Sequence, residues 1–456
     1  MSDLIAIILA AGKGTRMKSK MPKVLHKVGG KPMVEHVLKA AEDSGAREKI
    51  VVVGFGSEQV VEFIGNRAKI ALQEEQLGTG HAVLQAEKLL PDFVGTALIL
   101  CGDTPLLEGH ELKSFYEMHK ESGAAASVLT DCTDSPAGYG RILRDADNNV
   151  SGIVEEKDAS AEQKAIREIN TGIYCVESPL LFEVLHTLSC NNAQGEYYLT
   201  DILLKLREKH QKICGIATED FPMIMGINSR KQLAIAESIM RNRILDKLMD
   251  NGVTIMDPAS TFIEASVEIG RDTIIYPFTW LEGQTKIGED AIIGPNVRLE
   301  NVEVGNATHL QFLYGHDCKV EKQVTAGPYV HLRPDTVIKD NVKIGNFVEV
   351  KNSTVGVGSK LPHLTYIGDS DIGNSVNMGC GCITVNYNGK KKYRTTIEDN
   401  AFVGCNSNLV APVNIGKGSY VGAGSTITKD VPADALGVGR IRQINIKNWA
   451  EKYRNS

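Results

Sequence analysis

A pair formed by an aliphatic residue and a following glycine recurs through the C-terminal part of this chain, often at spacings that are multiples of six residues. A hexapeptide period predicts a parallel β-helix, in which short strands turn an aliphatic residue inward and three strands close one triangular coil. Ordinary turns are the alternative, since the chain has 44 glycines. Confinement to one part of the chain, several times in phase, favours the β-helix. The pairs begin at Ile269, Ile287, Ile293, Ile344, Val355, Ile367, Ile372, Met378, Val403, Ile415 and Val421.

The first part of the chain follows a different pattern, in which apolar runs alternate with helical stretches. Strand-like runs occupy residues 5–10, 49–54, 96–103 and 124–130, and helical stretches lie between them. This alternation predicts an α/β domain with a mostly parallel sheet covered on both faces. In such sheets, ligands bind beyond the carboxyl ends of the strands.

Residues 229–250 predict a connecting helix, which Gly252 ends. Its apolar residues, near one helical face, are Leu233, Ala236, Ile239, Met240 and Leu248. We therefore expect three parts: an α/β domain over 1–228, a helical linker over 229–250 and a β-helix domain over 251–456.

Composition limits the classes of partner. The chain has 456 residues, enough for two or three domains, and a net charge of -6. This charge provides no general positive field for nucleic acid or an anionic membrane, so neither is an expected partner. No apolar run approaches the roughly 20 residues of a membrane span, and the nine cysteines form no repeated Cys-x-x-Cys pair. We expect a cytoplasmic protein without a disulfide framework or a zinc site.

The stretch LAAGKGTRM, residues 9–17, directly follows the first apolar run and is followed by Pro22 and Lys23. Gly12 and Gly14 allow the backbone to approach a nucleotide, while Arg16 and Lys23 offer positive charge to a triphosphate. Lys13, Lys18 and Lys20 are interpreted as solvated residues of the turn and are left out of the predicted site. A strand, a small-residue turn and two cations together predict a polyphosphate site.

This stretch resembles the signature of sugar-phosphate nucleotidyltransferases. Further segments fit the same pattern: LQEEQLGTGHA, LILCGD, GYGR, GIVEEKD, EINTGIY and MGINSR. The resemblance implies Arg16 and Lys23 as catalytic cations, and Asp103 and Asn228 as ligands of Mg²⁺. The substrate-binding residues that it implies are Leu9, Ala10, Ala11, Gly12, Lys23, Gln73, Gly78, Thr79, Cys101, Gly102, Asp103, Gly140, Glu155, Asn170 and Asn228.

The second part is similar to hexapeptide-repeat acyltransferases, which implies a left-handed coil. In order, the motifs of the whole chain resemble the bifunctional N-acetylglucosamine-1-phosphate uridyltransferase/glucosamine-1-phosphate acetyltransferase family. That resemblance implies His363 as the base for amine acylation, since a base near neutral pH is needed. For the sugar phosphate it implies Arg333, Lys351, Tyr366 and Asn377, and for acetyl-CoA Cys380, Asn386, Tyr387, Cys405, Ala423 and Arg440. Cys380 and Cys405 stand where alanine or serine is common in the family.

The implied partners are glucosamine-1-phosphate, acetyl-CoA, UTP and N-acetylglucosamine-1-phosphate. The resemblance also implies a homotrimer with acetyl-CoA between neighbouring solenoids, since flat solenoid faces can close around a threefold axis. Two other functions remain open. One is a single-activity sugar-1-phosphate nucleotidyltransferase with a structural or regulatory solenoid, and the other is a non-catalytic nucleotide-binding scaffold. The set of His363, Lys351, Asn386 and Tyr387 argues against the first, and Asp103 with Arg16 and Lys23 against the second.

Overall fold

The chain forms two compact units, Met1–Met240 and Arg241–Ser456, in a computed structural model that describes residues 3–218 and 223–454. The division falls inside a long helix, where a linker was expected. The finer boundaries at 228 and 250 stay a prediction.

The first unit alternates strands and helices. Its strands are β1 Leu4–Ala10, β2 Lys27–Val28, β3 Lys31–Pro32, β4 Glu48–Val53, β5 Lys69–Leu72, β6 Thr96–Cys101, β7 Ala126–Cys132, β8 Arg141–Arg144, β9 Val150–Val154, β10 Glu168–Glu177 and β11 Ile213–Ala217. Its helices are α1 Met33–Asp43, α2 Ser57–Ile64, α3 Thr79–Leu84, α4 Gly109–Ser122, α5 Ala161–Lys164, α6 Ser178–Leu185, α7 Asp201–Glu208 and the first part of α8 Arg230–Asp250. Short 3₁₀ turns lie at Thr15–Met17, Lys23–Leu25, Gly65–Arg67 and Glu87–Leu89.

The main sheet has the order β11-β7-β10-β6-β1-β4-β5, with β8 and β9 paired beside β10. β1 pairs in parallel with both β4 and β6, whereas β10 runs antiparallel between β6 and β7. The mostly parallel sheet is therefore confirmed. The carboxyl ends of β1 and β6 lie side by side, because Leu9 is in register with Cys101.

Alternating residues of β1 pack on opposite faces of this sheet. Ile5 and Ile7 belong to a core with α3, α6 and α7, while Ala6 and Ile8 belong to a core with α1, α2 and α4. Both faces are covered, and this explains why the strand is an unbroken apolar run rather than an alternating one.

Helix α8 packs its residues in two groups. Leu233, Ala236, Ile239 and Met240 pack in a small core with Met33 and other residues of the first unit. Ile244, Leu245, Leu248 and Met249 instead pack on the core of the second unit. The predicted helix is confirmed, but its apolar residues serve two cores rather than one.

The second unit is a ladder of short parallel strands. They are β12 Thr254–Ile255, β13 Phe262–Ile263, β14 Glu268–Ile269, β15 Ile274–Ile275, β16 Trp280–Glu282, β17 Lys286–Ile287, β18 Ile292–Ile293, β19 Val297–Val304, β20 His309–Leu310, β21 Leu313–Val320, β22 Thr325–Ala326, β23 Val330–Leu332, β24 Val337–Ile338, β25 Lys343–Lys351, β26 Thr354–Val355, β27 Lys360–Gly368, β28 Ser370–Ile372, β29 Asn377–Met378, β30 Ile383–Val385, β31 Thr395–Ile397, β32 Phe402–Val403, β33 Asn408–Val410, β34 Val413–Ile415, β35 Tyr420–Val421, β36 Thr426–Ile427 and β37 Leu436–Gly437. A 3₁₀ turn at Pro258–Ser260 and helix α9 Trp449–Arg454 complete the described elements.

Each strand of this ladder pairs with a strand one coil further along the chain, so the aliphatic residues stack in an inner column. Ile269 pairs with Ile287, Ile275 with Ile293, and Ile263 with Leu281. These side chains are buried or nearly so. The prediction from the hexapeptide period is therefore confirmed, because an apolar residue points to the interior on each side of the coil.

Residues 305–326, where the period is weak, belong to regular coils. Val297 pairs with Leu313 and Val304 with Val320 at a separation of 16 residues, and Leu313 pairs with Val330 at 17, so the coils here are shorter than 18 residues. The shorter coil shifts the phase of the six-residue repeat without breaking the ladder. His309 and His316 lie on strands β20 and β21.

Among the described residues, no helix combines the length and apolar character needed to span a bilayer.

Candidate functional sites

A cavity of about 410 Å³ lies at the carboxyl ends of β1 and β6. It is lined by residues of four predicted segments together with several that were not part of the predicted site. The predicted lining residues are Leu9, Ala10, Ala11, Gly12, Lys23, Gln73, Gly78, Thr79, Cys101 and Asp103. The additional ones are Lys13, Val24, Gln76, Ala82 and Glu196.

Lys23, Asp103 and Asn228 form the polar centre of this site. The Lys23 ammonium donates to the Asp103 carboxylate and, at 3.0 Å, to Oδ1 of Asn228. The side chains of Lys23 and Asp103 are largely removed from solvent. Two side-chain oxygens that are distant in sequence therefore bind the same ammonium group.

This pair of oxygens fits Mg²⁺. Carboxylate and amide oxygens are hard donors, and Mg²⁺ at nucleotide sites commonly takes one or two protein ligands with phosphates and water completing the shell. The described residues 3–218 and 223–454 contain no group of three or more His, Cys, Asp or Glu side chains that could hold a metal by themselves. Any ion here would depend on the substrate's phosphates.

The glycines of the turn have steric reasons for their positions. Gly14 has φ +58°, and a Cβ there would lie 2.7 Å from Cβ of Lys23. Gly78 has φ +116°, and a Cβ there would lie 2.6 Å from the carbonyl oxygen of Tyr197. A side chain at Gly14 would thus displace the predicted catalytic lysine.

The two predicted cations occupy different surroundings. Lys23 lines the cavity, whereas Arg16 is exposed on the turn Thr15–Met17 and is not part of the lining. Lys13, which was interpreted as a solvated turn residue, does line the cavity. The motif alone could not separate these residues, because the direction of each side chain depends on the turn's fold.

Gln73 is buried beneath the cavity. Its amide nitrogen donates to the carbonyl oxygen of Gly78 at 3.1 Å and lies 3.1 Å from Nδ1 of His81. The backbone N–H of Gln73 donates to the carbonyl of Val53, at the end of β4. These contacts fix a side-chain amide at the wall of the pocket.

Gly140, Glu155 and Asn170 lie together around the buried Tyr174. The Tyr174 hydroxyl donates to Oδ1 of Asn170 at 2.9 Å, and the backbone N–H of Asn170 donates to the carbonyl of Gly140. Burial raises the pKa of Glu155, whose carboxylate accepts from Thr200 at 3.2 Å. Burial and then the Glu155 charge raise the pKa of Tyr174.

This second cluster borders the first cavity through Cys101. The Cys101 thiol lies 3.8 Å from the carbonyl oxygen of Gly172, in the irregular segment of β10, and burial raises its pKa to about 12. Gly102 follows, with its N–H bonded to the carbonyl of Leu9. The predicted set is thus one continuous region of the first unit, with Arg16 at its exposed margin.

In the second unit, most of the predicted residues occupy one face of the solenoid and the corners on each side of it, while Asn377 lies on a neighbouring face. The Tyr366 face carries, at one register position on successive coils, Trp280, Arg298, Tyr314, His331, Glu349 and Tyr366. Arg333 donates to Glu349 at 2.8 Å on this face. Glu349 was not singled out from the sequence.

The His363 corner joins the Tyr366 face to the face that carries Asn377. It consists of Asn346, His363, Cys380, Cys405 and Ala423, one from each successive coil. Asn346 is in register with His363. From His363 onwards, backbone hydrogen bonds connect the corner positions of successive coils. The N–H of Gly381 donates to the carbonyl of His363, that of Asn406 to Cys380, and that of Gly424 to Cys405.

His363 is exposed and held by Asn346. Nδ1 of His363 lies 2.6 Å from Oδ1 of Asn346. With the amide oxygen in this position, Nδ1–H donates and Nε2 of a neutral ring carries the free lone pair. Asn346 was missed by the sequence analysis, although its position one coil before His363 is a signal that could have identified it.

The Asp369 corner lies at the other edge of the Tyr366 face and consists of Asn352, Asp369 and Asn386 with the adjoining Lys351 and Lys392. Asp369 accepts from Nδ2 of Asn352 at 2.6 Å and from Nδ2 of the buried Asn386. Burial opposes ionisation of Asp369, but these bonds and the charge of Lys351 lower its pKa overall. A side-chain hydrogen bond with Lys351 and the charge of that ammonium lower the pKa of Lys392, another residue missed by the sequence analysis.

The structure thus separates the residues predicted to bind acetyl-CoA. Cys380, Cys405 and Ala423 lie at the His363 corner, where the exposed Arg440 approaches Gly424. Asn386 lies in the Asp369 corner and Tyr387 directly follows it, with its hydroxyl donating to the carbonyl of Gly389 at 2.7 Å.

Comparisons with known proteins cover both units. A nucleotidyl transferase family model matches residues 5–222, and a bacterial transferase hexapeptide (six repeats) model matches residues 317–352 and 394–429. The bifunctional protein GlmU of Geobacillus sp. is 54% identical over 447 residues, which cover 98% of this chain and 97% of that protein. The bifunctional protein GlmU of Halalkalibacterium halodurans is 50% identical over 455 residues, which cover 100% of each chain to the nearest per cent.

This chain belongs to the GlmU family. It is a bifunctional transferase with a nucleotidyltransferase half and a hexapeptide acetyltransferase half, and the predicted family and enzyme class are confirmed. The left-handed β-helix of hexapeptide repeats is likewise confirmed by the repeat match and the parallel ladder. The findings support this GlmU function over a single-activity nucleotidyltransferase or a scaffold.

Proposed function

We propose that the second unit acetylates glucosamine-1-phosphate with acetyl-CoA, and that the first unit then transfers UMP from UTP to the resulting N-acetylglucosamine-1-phosphate. The observation that carries this proposal is that one chain holds both the Lys23–Asp103–Asn228 centre and an imidazole fixed through Nδ1. The first suits a nucleoside triphosphate, and the second suits removal of a proton from an amine. Family membership supports the pairing of the two.

In the first unit, an oxygen of the sugar phosphate attacks the α-phosphorus of UTP, and pyrophosphate leaves. Lys23, held at the carboxyl end of the sheet, and Arg16, on the exposed turn, offset the charge that grows on pyrophosphate. Mg²⁺ held by Asp103 and Asn228 would supply further positive charge to the triphosphate. Gln73 faces the base, while Gly140, Glu155 and Asn170 hold the sugars, and no protein nucleophile is needed.

In the second unit, Nε2 of His363 accepts a proton from the amine of glucosamine-1-phosphate as that amine attacks the thioester of acetyl-CoA. CoA leaves, and the amide forms. Asn346 keeps the proton on Nδ1, which leaves Nε2 available as the base. Arg333 and Lys351 bind the sugar phosphate through charge-assisted hydrogen bonds, and Lys392 adds a third cation nearby.

We also propose that three copies assemble and share the acetyl site. The segment after the last strand exposes large apolar side chains, among them Ile441, Ile444, Ile446 and Trp449, and clustered exposed apolar surface is typical of protein contacts. A triangular solenoid can close around a threefold axis. All nine cysteines lie in the part of the chain that the structure describes and are free thiols there, which supports a reducing compartment such as the cytoplasm.

A two-step assay tests the proposed function. The chain is supplied with glucosamine-1-phosphate, acetyl-CoA, UTP and Mg²⁺, and free CoA, pyrophosphate and the nucleotide sugar are each measured. We expect all three products. Omission of acetyl-CoA should remove CoA and the nucleotide sugar, and added N-acetylglucosamine-1-phosphate should restore the sugar nucleotide. If pyrophosphate is released equally well without the acetylated sugar, the assigned order of the two reactions is wrong.

A further inference from the structure

Two cysteines follow the proposed base in the same corner of the solenoid, one coil and two coils further along the chain. Cys380 and Cys405 occupy equivalent positions on consecutive coils of the His363 corner, because Met378 pairs with Val403 two residues earlier. The N–H of Asn406 donates to the carbonyl of Cys380 at 2.7 Å, which fixes the two backbones side by side. Cys380 in turn follows His363 by one coil, since Gly381 bonds to the carbonyl of His363 at 3.4 Å.

The spacing of this column permits a bridge between the thiols. Adjacent strands lie about 4.8 Å apart, and disulfides join Cα atoms separated by about 4.4–6.8 Å. Both cysteines occupy the same position of the corner turn, each directly before a residue with positive φ, Gly381 or Asn406, so we infer that both side chains leave the corner in similar directions. A disulfide prefers a Cβ separation of about 3.8 Å, so bridging would pull the two corners closer together.

A third cysteine nearby shows what distinguishes this pair. Cys382 is buried, its thiol lies 3.2 Å from the carbonyl oxygen of Gly404, and burial raises its pKa. Cys405 is exposed and Cys380 is half-buried. Since thiol reactivity requires access, a reagent in solution can reach the corner pair but not the interior cysteine.

We propose that Cys380 and Cys405 are a reversible redox pair whose oxidation to a disulfide closes the acetyl-transfer site. The proposal rests on the proposed function of the His363 corner. Closure follows from position, because the bridged corner directly adjoins the coil of His363 and contains the positions predicted to meet acetyl-CoA. The nucleotide cavity contains neither thiol, so uridyl transfer continues while acetyl transfer stops.

The chemistry is thiol–disulfide exchange with a low-molecular-weight disulfide, RS–SR, as the oxidant. The exposed Cys405 thiolate attacks one sulfur of RS–SR, which forms a mixed disulfide and releases one RS⁻. The Cys380 thiolate then attacks Sγ of Cys405, which forms the intramolecular disulfide and releases the second RS⁻. Two electrons pass to RS–SR, both thiol protons end on the released RSH, and excess reduced thiol reverses both steps.

The test uses oxidised glutathione as the probe on the full chain. Peptide mass spectrometry should detect a linked Cys380–Cys405 peptide that is two hydrogens lighter than its reduced parts. Acetyl transfer should fall by about 10²-fold, the usual cost of misplacing reacting groups, and should return with dithiothreitol. Uridyl transfer with supplied N-acetylglucosamine-1-phosphate should keep its rate.

Variants separate this pair from other cysteines. Cys405→Ser and Cys380→Ala should each abolish the linked peptide. The acetyl activity of Cys405→Ser should become insensitive to the oxidant, whereas Cys380→Ala should stop at the mixed disulfide of Cys405, detected by the added mass of one glutathione. Cys132→Ser, at an exposed cysteine of the first unit, is the matched control and should respond like wild type. Uridyl transfer by each variant verifies that the chain is folded.

The proposal is overturned if no linked peptide forms under conditions in which Cys132 is glutathionylated. It is also overturned if the linked peptide forms quantitatively and acetyl transfer keeps its rate. An untreated wild type that lacks acetyl transfer would instead refute the proposed function, and the linked peptide would still decide whether the two thiols form a pair.

Discussion

The two proposed sites are built from the sequence in different ways. In the first unit, Lys23, Asp103 and Asn228 meet although they are 80 and 205 positions apart along the chain. In the second unit, Asn346 and His363 meet at a separation of 17 positions, one coil. In a solenoid, spatial neighbours can therefore be identified from the repeat length in the sequence. In a sheet covered on both faces, spatial neighbours depend on the strand order, which the sequence does not show directly.

The difference affects which supporting residues can be found. On the solenoid, Glu349 and Asn346 lie one coil from Tyr366 and His363, so the register identifies them at once. In the α/β unit, Lys13 and Glu196 line the cavity without a comparable positional relation to Asp103. The following predictions test whether the two sites are as separate as this comparison indicates.

The largest expected effect is at His363. His363→Ala should lower acetyl transfer by about 10²–10⁴-fold, the usual contribution of a positioned general base. Uridyl transfer with supplied N-acetylglucosamine-1-phosphate should not change. Separate steady-state assays measure both, and His309→Ala, at a histidine outside the corner, is the control. Acetyl transfer near the wild-type rate would reduce His363 to a structural residue.

Asp103→Asn should show the reverse division. It removes the carboxylate that binds Lys23 and would hold Mg²⁺, so uridyl transfer should fall by about 10²–10³-fold, as when a preorganised electrostatic group is lost. Acetyl transfer should continue. Asp134→Asn, at an exposed carboxylate paired with Arg167, is the matched control. Equal loss of both activities would show that the two sites are not separate.

A smaller effect should follow from loss of the Asn346 amide. Asn346→Ala should lower kcat of acetyl transfer by about 10–100-fold, the range found when the hydrogen-bond partner of a metal-bound imidazole is removed, with little change in KM. Its pH profile should also change, because the ring loses the acceptor that holds the proton on Nδ1. An unchanged pH profile together with a raised KM would indicate a binding residue instead.

Sharing of the acetyl site can be tested by mixing inactive chains. His363→Ala and Arg440→Ala chains, refolded together, should regain part of the acetyl activity, because some mixed trimers would contain one intact site. Uridyl transfer should be the same before and after mixing, since its residues all lie in one chain. A monomeric mass by light scattering with full acetyl activity would refute the shared site.

The smallest effect concerns the stability of the first unit. The pKa of Glu177 is lowered, chiefly by a hydrogen bond from the buried His119. Burial of Glu177 acts in the opposite direction, and the charge of Lys120 lowers the pKa further. A carboxyl whose folded pKa is lowered stabilises the fold above its unfolded pKa, and this contribution is lost as pH falls through the folded value. Glu177→Gln should therefore flatten the acid side of the stability curve, measured by urea unfolding, and leave neutral-pH activity intact. If the free energy of unfolding of Glu177→Gln falls with decreasing pH as steeply as that of wild type, this prediction is wrong.

Much of both sites was predictable from residues. The strand–turn motif with Lys23 and the strand-end Asp103 were expected at one sheet edge, and the structure brings them into contact. The position of Arg16 relative to Lys13 was not predictable, because a turn with two left-handed positions, at Gly14 and Lys18, directs its side chains in a way that spacing does not encode. Likewise, Lys392 reaches Lys351 only because the segment after Asn386 folds back towards the Asp369 corner.

By itself, the sequence determined the two structural classes, the covered sheet and the solenoid, because apolar periodicity follows directly from which side chains must leave water. It also determined most of the chemistry available, since the motifs supply the cations, carboxylates and base. Only the tertiary structure decided which groups share a site: the convergence of Asp103 and Asn228 on Lys23, and the column from Asn346 through His363 to Cys380 and Cys405. The physical reason is that hydrogen bonds and ion pairs act over a few ångströms, and chain positions far apart reach that range only after the sheet and the coils have packed.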